Sequence, residues 1–222
     1  LNLASNDLIG SIPSQLSMLT KLEGLVLSSN ALTGFLMEWM GDLTALQSLA
    51  LSRNRLSGGL PPELGLLTSL ALLEITYNQF SGSLPIELGS LKHLETIHVD
   101  ANIFSGSIPS ELGQCTALLG LNVGDNLLTG KLPTELGSLK GLNYFYGYNN
   151  KFSGSIPSEL GQCTELYDLN VADNQLTGKL PMELGSLNGL MFIYGYNNKF
   201  SGSIPSELGQ CTELYDLNVA DN

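Results

Sequence analysis

The chain has 222 residues, 43% of them hydrophobic, and 21 acidic side chains against 9 basic ones leave a formal net charge of −12. A surface this acidic repels phosphate, which excludes nucleic acid as a partner and disfavours anionic membrane surfaces. No charge-poor apolar run approaches the 18 or so residues a membrane span needs, so the segment implies no membrane insertion.

The first element in the chain is already part of a repeat. Asn6, Asn30, Asn54, Asn78, Asn102, Asn126, Asn150, Asn174, Asn198 and Asn222 follow one another at steps of 24 residues without insertion or deletion. Counted from each Asn, the second residue is Leu or Phe, the fourth is Gly from Gly10 to Gly202, and the seventh is Pro in every unit but the one with Met37. The eleventh is Gly from Gly41 onward, and the sixteenth is Leu from Leu22 to Leu214. Most glycines fall on those two rows, so they mark places where backbone conformation or close approach excludes a side chain, not a phosphate-cradling loop. A unit of this length cannot bury an apolar face alone and must stack on its neighbours. The expected organisation is one solenoid over residues 1–222 with about nine 24-residue repeats.

Within each unit a strand precedes the Asn, a second short strand follows it, and a helical turn begins after the Pro. Glu63, Glu87, Glu111, Glu135, Glu159, Glu183 and Glu207 each lie two residues beyond a Pro. They would fall in the first helical turn, where a carboxylate complements the free N–H groups and the dipole. The Asn ladder, Asn30 to Asn198, is expected to be structural, its amides bonding backbone groups of adjacent coils.

The unit reads LxxLxLxxNxLxGxxPxxLGxLxx in phase over the whole chain, as in "IPSELGQCTEL". It resembles the plant-type leucine-rich repeat found in plant receptor ectodomains, polygalacturonase-inhibiting proteins and diatom surface proteins. The resemblance implies an α/β solenoid: a right-handed superhelix with a concave parallel β-sheet and short strands and 3-10 turns on the convex side. It also implies an extracellular or cell-surface location. The chain starts inside a repeat ("LNLASN") and stops at the Asn of another ("LNVADN"), and neither end carries a polar cap. The expectation is therefore a piece of a longer chain, uncapped at both ends.

Three features along the chain are candidates for chemistry. The second unit reads "GFLMEWMGDL", placing Phe35 in a row that elsewhere carries mostly Ser or Lys and Trp39 in one that carries mostly Glu; a contact patch for another segment or protein is expected there. Cys115, Cys163 and Cys211 occupy a core row two units apart. At about 4.8 Å per strand that separation is roughly 10 Å, beyond the roughly 7 Å that a disulfide spans. Small buried hydrophobes are expected, with no metal site and no cofactor. His98 lies on the concave face near Glu74 and Asp100 and is read as a solvated surface residue, like His93. No side chain is placed with either His as a nucleophile–base pair requires, so no catalytic residues are assigned and the chain is read as non-enzymatic.

Side chains alternate along a strand. The Leu rows point inward, and the residues 18, 20 and 22 places after each Asn point out on the concave side. In "YFYGYNN", Tyr144, Tyr146 and Tyr148 then face outward while Phe145 and Gly147 face in. In "FIYGYNN", Phe192, Tyr194 and Tyr196 face outward. The space left by Gly147 and Gly195 is expected to be filled by large neighbours such as Phe145. Between and after the aromatic strands, "LYDLNVADN" presents Asp168 and Asn170, then Asp216 and Asn218, with Asp173 and Asp221 at the margin. These outward residues are the candidate ligand-binding set. Tyr anchors with a rim of carboxylates fit a protein or peptide ligand of basic character. A carbohydrate stacked on the rings is the alternative, a structural matrix role the next, and ice binding the lowest-ranked.

Overall fold

The computed structural model describes residues 1–222. The segment before each Asn forms a three-residue strand, from Gly24–Val26 to Asp216–Asn218, and these make one nine-stranded parallel sheet in simple chain order. Each strand pairs in register with the residue 24 positions on, as in Gly120↔Tyr144 and Tyr144↔Asp168. Equivalent positions of successive units therefore stand side by side, and the sequence columns become physical columns across the face. On the opposite side the LxG segments form two shorter parallel sheets, one of five strands from Ile9–Gly10 to Ile103–Phe104 and one of four from Thr129–Gly130 to Lys199–Phe200.

Nine five-residue 3-10 helices complete the coils, from Ser14–Met18 to Ser206–Gln210. The Pro of each unit, or Met37 in the second, is the cap residue before the helix, and the Glu row sits in the first turn. The two glycine rows have different causes. In the LxG row φ is positive, between 75° and 88°, a region costly for a residue with a Cβ. In the helical row a Cβ on Gly65 would lie 2.7 Å from the backbone oxygen of Glu87 in the next coil, so glycine sets how tightly coils stack.

A single apolar cluster of 52 residues runs through the interior. Phe80 and Phe104 stack within it with ring centroids 6.1 Å apart. Cys115, Cys163 and Cys211 are buried free thiols whose Sγ atoms donate to Leu88, Leu136 and Leu184 carbonyls of the preceding coil.

The Asn side chains tie the coils together. The Nδ2 of Asn126 donates to the carbonyls of Val99, Val123 and Gly124, while its Oδ1 accepts from the Phe104 N–H. The same four-bond pattern recurs from Asn54 to Asn198. The residue before each Asn is forced into the left-handed region, with φ between 48° and 58°. Ser, Asp and Asn fill most of these places, but Arg53, Tyr77 and Ala101 fill three.

The second unit keeps its irregular side chains at least partly exposed. Trp39 is partly buried and packs on the core. Phe35 remains 58% exposed, yet its ring lies flat over Gly58, where an added Cβ would meet it at 2.5 Å. The stems of Lys131 and Lys179 cover Gly154 and Gly202 in the same way. Phe35 thus does the covering work of its row.

Candidate functional site

The concave sheet carries the outward columns, and two strands of it are aromatic. In Tyr144–Tyr146, Phe145 is fully buried and the two tyrosines are half-buried. Phe145 and Phe152 come within 3.1 and 3.2 Å of the place a Gly147 Cβ would take, so both rings fill that space. At Gly195 the filling ring is Phe200, from the following short strand, not the inward residue of the same strand. The expectation from Phe145 holds for one copy only.

The two aromatic strands are near-copies in sequence but not in arrangement. The strand before Tyr144–Tyr146 presents Gly120 and Gly124 in the outward columns, and those gaps let the rings lean across. Tyr144 lies directly over Gly120 and reaches the second strand away, where its hydroxyl is 2.8 Å from Nε2 of His98. Tyr148 lies over Gly124, where an added Cβ would meet the ring at 2.6 Å. Tyr146 turns the other way, and its hydroxyl donates to Oδ2 of Asp168 at 2.7 Å. The Tyr144 and Tyr146 rings sit 5.0 Å apart at 32°.

Before Phe192–Tyr194 the columns are filled by Asp168, Asn170 and Ala172, so those rings cannot lean over. Phe192 stacks on Tyr194 instead, at 6.1 Å and 16°. Tyr215 meets the Phe192 edge at 5.8 Å and is 82% exposed. With exposed Tyr167, Met191 and Leu119, these residues extend the apolar surface onto the margin of the sheet. Tyr196 is half-buried. Asn170 and Asn218 use their Oδ1 atoms locally, accepting the N–H of Ala172 and Ala220. Asp216 stands opposite Phe192 in the last strand, half-buried.

His98 is a residue that the sequence reading misjudged. It is half-buried and hydrogen-bonded to Tyr144, not solvated, because Gly120 leaves the path between them open. Burial lowers its pKa, with the Glu74 carboxylate acting against that. Asp100, placed from the sequence only as a neighbour of His98, is buried more deeply still. Its side chain is only 7% exposed and its Oδ1 has no hydrogen-bond partner. Burial, helped by Asp125 and Glu74, pushes its pKa up to about 6 against one opposing backbone hydrogen bond. Burial also drives the Tyr148 hydroxyl up to about 12, with Asp125 and Asp100 adding to it. Asp168 has an unpartnered Oδ1 as well, and its pKa is raised by burial and held back by the Tyr146 hydroxyl. The signals available in the sequence were Gly120 and Gly124, outward glycines just before an aromatic strand.

On the margin, Asn149 donates to Asp125 at 2.5 Å and Asn197 to Asp173 at 2.7 Å. Arg53 sits over the Tyr77 ring, its guanidinium 4.8 Å from the centroid. No cluster of three or more His, Cys, Asp or Glu is arranged to hold a metal ion. The chemistry on offer is apolar area from rings, with carboxylate oxygens that lack donors.

Comparison with known proteins agrees with this architecture. Family models described as leucine rich repeat match residues 1–56 and 165–187. No curated protein matches. Among solved structures, the plant peptide hormone receptor RGFR1 in complex with RGF2 is 36% identical with a TM-score of 0.94, over 95% of this chain and 34% of that one. The Arabidopsis receptor kinase HAESA ectodomain, in complex with an extended IDA peptide hormone, is 36% identical with a TM-score of 0.94, over 99% of this chain and 37% of that one. A plant ice-binding protein is 28% identical with a TM-score of 0.85, over all of this chain and 72% of that one. The chain is a leucine-rich repeat protein, and its repeats are of the plant type. It spans about a third of the length of the receptor ectodomains it matches.

Proposed function

We propose that the chain is a non-enzymatic, extracellular recognition module that binds a peptide on its concave face, across the aromatic strands. The observation that carries this reading is a pair of aromatic patches on one face, Tyr144 with Tyr146 and Phe192 with Tyr194 and Tyr215, with Asp168 between them and Asp100 beyond the first, the Oδ1 atoms of both lacking donors. Contiguous exposed apolar surface marks interaction sites, and Tyr is a favoured anchor. An unpaired buried acceptor is costly until a donor arrives. The relatives RGFR1 and HAESA, crystallised with peptide hormones, support a peptide as ligand class. Tyr144, Tyr146, Tyr148, Phe192, Tyr194 and Tyr196 supply area, and Asp168, Asn170, Asp216 and Asn218 supply polar contacts.

The test is selection from a displayed peptide library, followed by binding to a Phe192→Ala, Tyr194→Ala variant. Phe192 has no polar group, and the Tyr194 hydroxyl faces the Asp216 carboxylate without the close 2.7 Å hydrogen bond that ties Tyr146 to Asp168. Truncating a central anchor costs about 2 kcal/mol or more, so selected peptides should weaken by about thirtyfold while the melting curve stays close to wild type. Full retention of binding would move the site off the aromatic strands. A glycan array that responds where peptides do not would replace the peptide by a carbohydrate.

A further inference from the structure

The aromatic strands account for apolar contact but leave one group unused. Asp100 sits in the outermost outward column, beside Gly124 and, beyond that, Tyr148 of the same column. Because Gly124 has no side chain, the Tyr148 ring leans over it toward Asp100. The Asp100 side chain is more than nine-tenths buried, and its Oδ1 accepts no hydrogen bond. The groups acting on it are Glu74 from one neighbouring strand, Asp125 from the other side, its own backbone, and the Tyr148 and Tyr144 hydroxyls, with no basic side chain among them. His98 on the same strand is turned to Tyr144, and Arg53 is held over Tyr77. Asp100 thus feels two neighbouring carboxylates and no cation: Glu74 accepts from the Ser52 hydroxyl and Asp125 from the Asn149 amide, while the buried Oδ1 of Asp100 has no donor.

We propose that Asp100, with Glu74, Asp125 and the Tyr148 ring, forms a subsite for one basic side chain of the bound peptide. The proposal rests on the peptide reading above and adds the chemistry of one ligand position. A guanidinium or ammonium group supplies the donors Oδ1 lacks and offsets the like charges of Glu74 and Asp125. The Tyr148 face adds the attraction of a π-system for a cation. An organic cation fits better than a metal ion, since no metal-ligating cluster is assembled here. Filling the site requires the Tyr148 ring to rotate outward, because Oδ1 has essentially no accessible surface. Occupancy competes with protonation of Asp100, so binding should weaken below about pH 6. Protonation of His98 at lower pH adds a nearby positive charge and acts in the same direction.

The experiment titrates the whole chain with N-acetyl-arginine methylamide and, separately, with its uncharged norleucine counterpart and with calcium chloride. The ring signals of Tyr148 and His98 are followed by NMR. The arginine probe is expected to shift both rings, about tenfold more weakly at pH 5 than at pH 7, while norleucine and calcium do not. Asp100→Asn should fold, melt at a higher temperature at neutral pH, and lose the response by at least tenfold; Glu135→Gln, an exposed carboxylate of the helical row, should leave it unchanged. An equal response to norleucine, a calcium response, or full arginine binding by Asp100→Asn would overturn the subsite. Library peptides that bind the aromatic strands with no basic residue enriched and no sensitivity to Asp100→Asn would also overturn it while leaving the peptide reading intact. Arginine binding that needs Asp100, with no library peptide sensitive to Phe192→Ala and Tyr194→Ala, keeps the subsite and removes the peptide reading.

Discussion

Asn126 and Asn150 each satisfy four backbone groups while themselves more than nine-tenths buried. Replacing either with Ala leaves those groups without partners, and a buried unpaired polar group costs about 1–3 kcal/mol. Urea denaturation of Asn126→Ala or Asn150→Ala should show a loss of at least that size. The residue before each Asn makes the opposite prediction. Ala101 is held at φ 52°, a region that costs an ordinary L-residue about 1–2 kcal/mol and that Asn tolerates better. Ala101→Asn should therefore stabilise the fold by about 0.5–1 kcal/mol in the same assay. Asp100 links stability to pH. Its folded pKa is raised, so its contribution is complete below about pH 4 and is lost as pH rises through about 6. His98, with a lowered pKa, works in the other direction, contributing stability above its ordinary value that is lost as pH falls. Comparing Asp100→Asn with wild type isolates the carboxylate: the variant should melt higher at pH 7.5, and the gap should close near pH 4.5.

At the scale of elements, a three-residue strand is given its character by the strand beside it. The segments YFYGYNN and FIYGYNN around Tyr144–Tyr146 and Phe192–Tyr194 share most of their residues, yet only the first has glycines next to it in the outward columns. Its rings lie down and find His98 and Asp168; those of the second stand up and stack on one another. Gly120→Ala would put a methyl group where the Tyr144 ring lies. The ring should lift and release His98, whose burial is the cause of its low pKa. An NMR titration should then show the His98 pKa moving up toward 6.5, with Gly141→Ala, on the sheet margin, as the unaffected control. The same logic shows why Tyr146 is a poor residue for testing binding. Its hydroxyl is the partner of Asp168, so truncation disturbs a half-buried carboxylate as well as a contact surface.

For the whole molecule, stability is close to a sum over coils and the interfaces between them. The helical glycine row governs those interfaces, since each glycine from Gly41 to Gly185 faces the backbone of the next coil. The 24-residue period was enough to determine a stacked solenoid, and the resemblance to plant-type leucine-rich repeats implied its parallel concave sheet and 3-10 turns, from which the inward or outward sense of the strand side chains followed. A parallel register with side chains alternating at period two leaves no freedom in those assignments. The tilt of each outward side chain was not legible in the sequence, and neither was the partner it finds. His98 read as solvated because its column faces outward on the concave side; it is half-buried because Tyr144 arrives from two strands away over Gly120. Asp100 entered the sequence reading only as a neighbour of His98; it is buried with an unpartnered oxygen in a column that Tyr148 leans across. Repeat periodicity records what each coil buries against the next, and that is nearly the same in every coil. The concave face depends on which particular residues stand in adjacent columns, and those meet only when residues 24 and 48 positions apart are brought side by side.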